Sequence, residues 1–111
     1  MAKFITIGYG DEAGYNRTEP ALRDAAHEHD ARLQAGGSLM GIAGRPVQVR
    51  NHSNRGVQVL KEAYMRSELP VAGFALIDAA SIEEAIDLVS RTPCAVAYGV
   101  VEVWPLLESP A

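Results

Sequence analysis

His27-Glu28-His29-Asp30 is the densest run of titratable side chains in the chain. Two imidazoles and two carboxylates in four positions could hold a metal ion or move a proton. The metal reading fails on geometry. The run lies inside a helical pattern, where side chains two apart diverge by about 200°. His27 and His29 therefore cannot share one ion, and neither a metal nor a cofactor is expected. Proton transfer fits better, because imidazole titrates near neutral pH. His29 shares a helical face with Leu22, Ala26 and Leu33, so its ring is expected to point toward a sheet. Asp11, in the loop after the first strand, and Asp30 are the carboxylates that could assist His29 as catalytic partners. Tyr9 could supply a hydroxyl to substrate, and Arg50 a guanidinium for an anionic substrate group. A satisfied, half-buried histidine with a purely structural task would carry the same pattern. Arg23, His27 and Asp30, spaced i, i+4 and i+7, read as a solvated helix edge with weak charge pairing.

The elements that would position these groups follow from periodicity. Residues 3–9 alternate as a strand, with Ile5, Ile7 and Tyr9 on one face. Gly10 to Gly14 reads as a loop. Thr18-Glu19-Pro20 opens a helix, Thr18 as N-cap, that runs to Ala35 and stops at Gly36-Gly37. Residues 38–43 are a second strand. Val47-Gln-Val-Arg50 and Val57-Gln-Val-Leu60 form a hairpin with a longer loop. Residues 61–70 fit either a short helical turn or a loop. Gly73 to Asp78 is a strand, and Ser81 with Glu84 is a capping-box pattern opening a helix that buries Ile82, Ala85, Ile86 and Val89. A last strand runs from Ala97 to Trp104. The expected architecture is α+β, a ferredoxin-like (split βαβ) antiparallel sheet with an inserted hairpin and helices on one face. The last strand carries Val101 and Val103 on one side and Val100 and Trp104 on the other. The uncovered sheet face is thus expected to be apolar and to form a homodimer.

Composition bounds the rest. The 111 residues suffice for one domain, 1–111, and 48% of them are hydrophobic, as in globular chains. The net charge is -4, and ten Lys and Arg residues show no basic stripe, so nucleic acid is not an expected partner. No apolar run approaches a membrane span. The chain enters a strand at once, with no apolar leader, so a cytoplasmic location is expected. Cys94 stands alone and follows Pro93, where a small half-buried side chain is the expected role. Phosphate loops, dinucleotide fingerprints, nucleophile elbows and zinc spacings are absent from the sequence.

Several motifs, in order and spacing, resemble the YCII-related family in its DGPF-type branch. They are Tyr9-Gly10-Asp11-Glu12-Ala13, Leu33-Gln-Ala-Gly-Gly37, Val47-Gln-Val-Arg50, Gly73-Phe-Ala-Leu-Ile-Asp78, and Val101-Glu102-Val103 followed by Pro105. The resemblance covers nearly the whole length. It implies a bacterial protein, a dimeric α+β barrel of ferredoxin-like subunits, and a small-molecule cleft between sheet and helices. It also implies a His–Asp pair suited to acid/base or lyase chemistry. The family signature Asp-Gly-Pro-Phe would fall at Lys61-Glu62-Ala63-Tyr64, where only the aromatic is retained. The arginine usual in the final strand would fall at Trp104.

Two readings of function follow. One is a small cofactor-independent lyase or isomerase acting on a small polar or aromatic molecule. His29 would be its acid/base, Asp11 or Asp30 its assistants, and Tyr9 and Arg50 its substrate contacts. The other is a non-enzymatic ligand-binding or regulatory module, favoured by the altered signature and the missing nucleophile.

Overall fold

The computed structural model describes residues 1–107. Among these residues six strands and four α-helices follow in the order β1 (Ala2–Tyr9), α1 (Glu12–Arg17), α2 (Pro20–Ala35), β2 (Leu39–Ile42), β3 (Gln48–Arg50), β4 (Gln58–Leu60), β5 (Val71–Ala79), α3 (Ile82–Val89), α4 (Pro93–Val96) and β6 (Val100–Leu106), with a 3-10 turn at His52–Asn54 between β3 and β4. Four of the strands form an antiparallel sheet in the order β2-β5-β1-β6, while β3 and β4 pair only with each other. The result is a mixed α+β fold whose strand order is compatible with the split βαβ expectation.

Strand register divides the sheet side chains into two sets. Phe4 pairs with Ile77, Thr6 with Ala75 and Val103, and Gly8 with Val101, all facing the helices. There Phe4, Ile77 and Ala79 bury against Ala85 and Val89 of α3, with Ile77 only 2% exposed. Ile5 pairs with Leu76 and Trp104, Ile7 with Phe74, and Leu39 with Leu76 on the opposite face, which carries no helix. That face is apolar and open: Trp104 is 56% exposed and Leu39 72%. The thinnest dimension of the molecule, 21 Å, is that of one sheet and one helix layer. The β3–β4 hairpin extends from this body, with Val47, Val49, Val57 and Val59 exposed. The radius of gyration is accordingly 16.1 Å, against about 13 Å for a compact chain of similar length.

Local chemistry corrects several sequence expectations. The segment read as a loop after β1 contains α1, because Asp11 caps it by accepting the Gly14 N–H at 2.9 Å. Thr18 does not cap α2. It closes α1 instead, its buried hydroxyl donating to the Gly14 carbonyl at 2.9 Å, and α2 starts from Glu19 with proline in its first turn. The Cys94 region forms the short α4, and the last strand begins three residues later than expected, after a turn in which Tyr98 adopts φ 63°. The Ser81 cap stands as read, accepting the Glu84 N–H at 3.1 Å. Pro105 lies within β6, where an edge strand tolerates the lost donor. Neither Trp104 nor Tyr98 enters this chain's core. No helix among the described residues is long and apolar enough to cross a membrane.

Candidate functional site

His29 points inward and is 5% exposed, flanked on α2 by buried Ala26. Leu22, on the same predicted stripe, is 52% exposed, so the buried stripe of α2 is short. The His29 ring reaches the end of α3, where Nε2 lies 2.6 Å from the Leu88 carbonyl. A carbonyl only accepts, so Nε2 carries the proton and donates it there. The bond fills a gap at a helix terminus, where the last four carbonyls lack intrahelical partners. The Ile86 carbonyl accepts from the Ser90 N–H, Asp87 from the Ser90 hydroxyl, and Val89 from the Thr92 N–H and hydroxyl. His29 supplies the remaining donor, for Leu88.

Asp30, the next residue, lines a cavity of about 170 Å³ between α2 and the sheet. Thr6, Leu33, Met40, Thr92 and Cys94 also line it, and its walls are mainly apolar. Burial pushes the Asp30 carboxyl up from its ordinary value, offset in part by His29 and His27. Burial likewise raises the Cys94 thiol, and the Asp30 charge adds to that rise. Cys94 is thus held as a thiol, without the electropositive surroundings that activate cysteine.

The other predicted site residues lie apart from this cavity. The Asp11 carboxylate is committed to the α1 cap. Tyr9 donates its hydroxyl to Glu102 Oε1 at 2.5 Å on the open face of the sheet, where the two are diagonal neighbours on β1 and β6. That carboxylate, helped by burial, raises the Tyr9 phenol and keeps its proton on. The Tyr9 hydroxyl also lies 3.6 Å from Met65 Sδ. Arg50 stands over the Tyr64 ring with its guanidinium carbon 5.8 Å from the centroid. Tyr9 and Arg50 therefore both touch the segment around Tyr64 and Met65, while His29, Asp11 and Tyr9 share no hydrogen bond with one another. His27 bonds the Tyr15 hydroxyl at 2.9 Å, and Arg23 stacks on the Tyr15 ring at 4.7 Å, which makes that flank an ordered helix edge. Among the described residues no group of three His, Cys, Asp or Glu side chains could hold a metal ion.

Two features of this geometry are not apparent from the spacing of residues along the chain. Cys94, read as a small structural residue, borders the same cavity as Asp30. Its signal is Gly8, where an added Cβ would meet Cys94 Sγ at 2.9 Å. The second is the distribution of charge. Arg45, Arg50, Arg55, Lys61 and Arg66 are half of the chain's ten cations and occur within residues 43–66, beside only one of its fourteen acidic residues, Glu62.

No protein-family model matches the chain, and no curated protein matches it.

Proposed function

We propose that the chain is a non-enzymatic ligand-binding module of the YCII-related type. Its ferredoxin-like subunits would pair through their open sheet faces, and a small, largely apolar molecule would occupy the cleft beside Asp30 and Cys94. The observation that carries this reading is the bond from His29 Nε2 to Leu88, which commits the proposed acid/base to holding two helices together. The cleft itself supports binding over catalysis, since its thiol is biased to the neutral form. A cavity of about 170 Å³ suits a single aromatic ring; an apolar cavity of about 150 Å³ accepts benzene.

The test is amide NMR on the intact protein titrated with phenol, indole and benzyl alcohol, with the compounds followed over time. Saturable shifts at Thr6, Asp30, Met40 and Cys94, with every compound recovered unchanged, are expected. No saturable shift at these residues, or product formation that H29A abolishes without loss of fold, would overturn the reading.

A lyase or isomerase reading has one observation in its favour, the raised carboxyl of Asp30 at the cleft wall, which suits a general acid. It requires turnover of a hydroxyaromatic compound that D30N removes.

A further inference from the structure

A second, larger concavity lies between the loop Ala43–Pro46 and the segment from Ala63 to Val71. It measures about 840 Å³, within the range of small-molecule sites. Tyr64, Met65 and Phe74 form its apolar surfaces, and Arg45 and Arg66 flank it. We propose that this groove binds a planar organic anion, its flat body against Tyr64 and Met65 and its carboxylate between Arg45 and Arg66. The site shares only Phe74 with the cleft beside Asp30.

Four observations converge on it. The first is charge: residues 43–74, which span the groove, carry five cations against two acidic residues, Glu62 and Glu68, within a chain whose net charge is -4. A concave, low-dielectric wall focuses such a field and raises the local concentration of anions. Second, these cations are available. The ion pairs among the described residues join Lys3 to Asp78 and Arg91 to Asp87, so neither Arg45 nor Arg66 is paired with a carboxylate of the described residues. Arginine presents two parallel N–H groups to a carboxylate, which suits capture of a planar anion better than a point charge.

Third, one end of each bank is tied to the sheet. The Ala43 N–H donates to the Ala72 carbonyl at 2.9 Å, and the Gly10 N–H to the Pro70 carbonyl at 3.1 Å. Ser67 donates its hydroxyl to the Leu69 carbonyl, and Pro46 and Pro70 fix the backbone φ at their positions on the two banks. Fourth, the aromatic wall is oriented from behind. Arg50 lies over Tyr64, and an adjoining concavity of about 490 Å³ is lined by Arg50, Tyr64 and Arg66 together. Met65 is met from below by the Tyr9 hydroxyl.

The test compares 2-naphthoate with its neutral analogue 2-naphthalenemethanol on the full chain, by fluorescence titration and amide NMR. Naphthoate should bind at least about tenfold more tightly. R45Q and R66Q should each erase most of that preference while melting like the parent. R91Q, which removes a cation already paired with Asp87, should leave it unchanged. Raising salt from about 20 to about 300 mM should weaken naphthoate and spare the alcohol. Shifts should map to residues 43–46 and 63–71. Equal affinity for the two compounds, no naphthoate binding, or shifts confined to the open sheet around Leu39 and Trp104 would each overturn the proposal.

Discussion

His29 and Asp30 are adjacent in sequence and have opposite circumstances. His29 turns inward and closes the C-terminus of α3, whereas Asp30 stands at the wall of a cavity. Removing the His29 ring leaves the Leu88 carbonyl without its donor and opens a void beneath α2. H29A should cost about 2–4 kcal/mol of stability, read by urea denaturation; a change below about 0.5 kcal/mol would show that the capping bond has no structural weight. Asp30 makes the opposite prediction. Its folded pKa is raised, so the native state holds the proton more tightly than the unfolded chain. Stability is therefore lost as pH rises from the ordinary carboxylate range through the raised value. D30N should melt above the parent at neutral pH, and the gap should close in acid where Asp30 is protonated. Thermal melts across that pH series decide it, and a gap independent of pH would rule out this account. The inward direction of His29 was legible from its spacing to Ala26, but its partner was not. Leu88 lies 59 positions away on another helix, and a backbone carbonyl leaves no mark in side-chain identity.

Among the elements, those written in local chemistry were read with most success. The Ser81 cap, the Gly36-Gly37 stop and the alternation of β1 all depend on residues a few positions apart. Thr18 shows where local reading fails. A threonine before Glu-Pro suits the start of α2, yet the same hydroxyl is within reach of the Gly14 carbonyl and closes α1. The turn from α4 into β6 is decided by tertiary approach. A Cβ on Gly99 would lie 2.1 Å from the Tyr9 carbonyl oxygen and 2.5 Å from that of Cys94. Both are backbone atoms, held by β1 pairing and by the Gly99 N–H bond to Cys94. G99A should therefore destabilise the protein by about 3 kcal/mol or more, whereas G44A, at a position with open space around it, should cost less than about 1 kcal/mol. Equal effects in chemical denaturation would contradict the close packing described at Gly99.

The whole molecule presents a sheet with one covered face and a hairpin that its own body does not cover. Ile5, Leu39, Phe74, Trp104 and Leu106 lie exposed on the bare face. A second copy is the partner proposed for that face, and the extended hairpin suits a reach toward it. Light scattering should then give twice the monomer mass at micromolar concentration. W104D should raise the dimer dissociation constant about 30-fold or more, with the melting profile of the monomer retained. A parent protein that stays monomeric at high concentration would defeat the pairing. Period-two alternation in the last strand already placed apolar residues on both sides of the sheet, which is why an apolar bare face was expected from Val100 and Trp104. The cationic grouping of residues 43–66 was equally present in the sequence, but total charge concealed it.

The sequence by itself determined the strands, the two longer helices, the Ser81 cap of α3 and the glycine stop of α2, because each depends on hydrogen bonds and apolar spacing within a few residues. It also determined that both sheet faces carry apolar side chains, since side-chain alternation is a property of the strand alone. Tertiary structure decided which predicted site residues meet. Folding placed His29 against Leu88 rather than Asp11, Asp30 beside Cys94, and Tyr9 with Glu102. Those meetings depend on how α2, α3 and α4 lie on the sheet, an arrangement set by packing between distant segments that no spacing along the chain encodes.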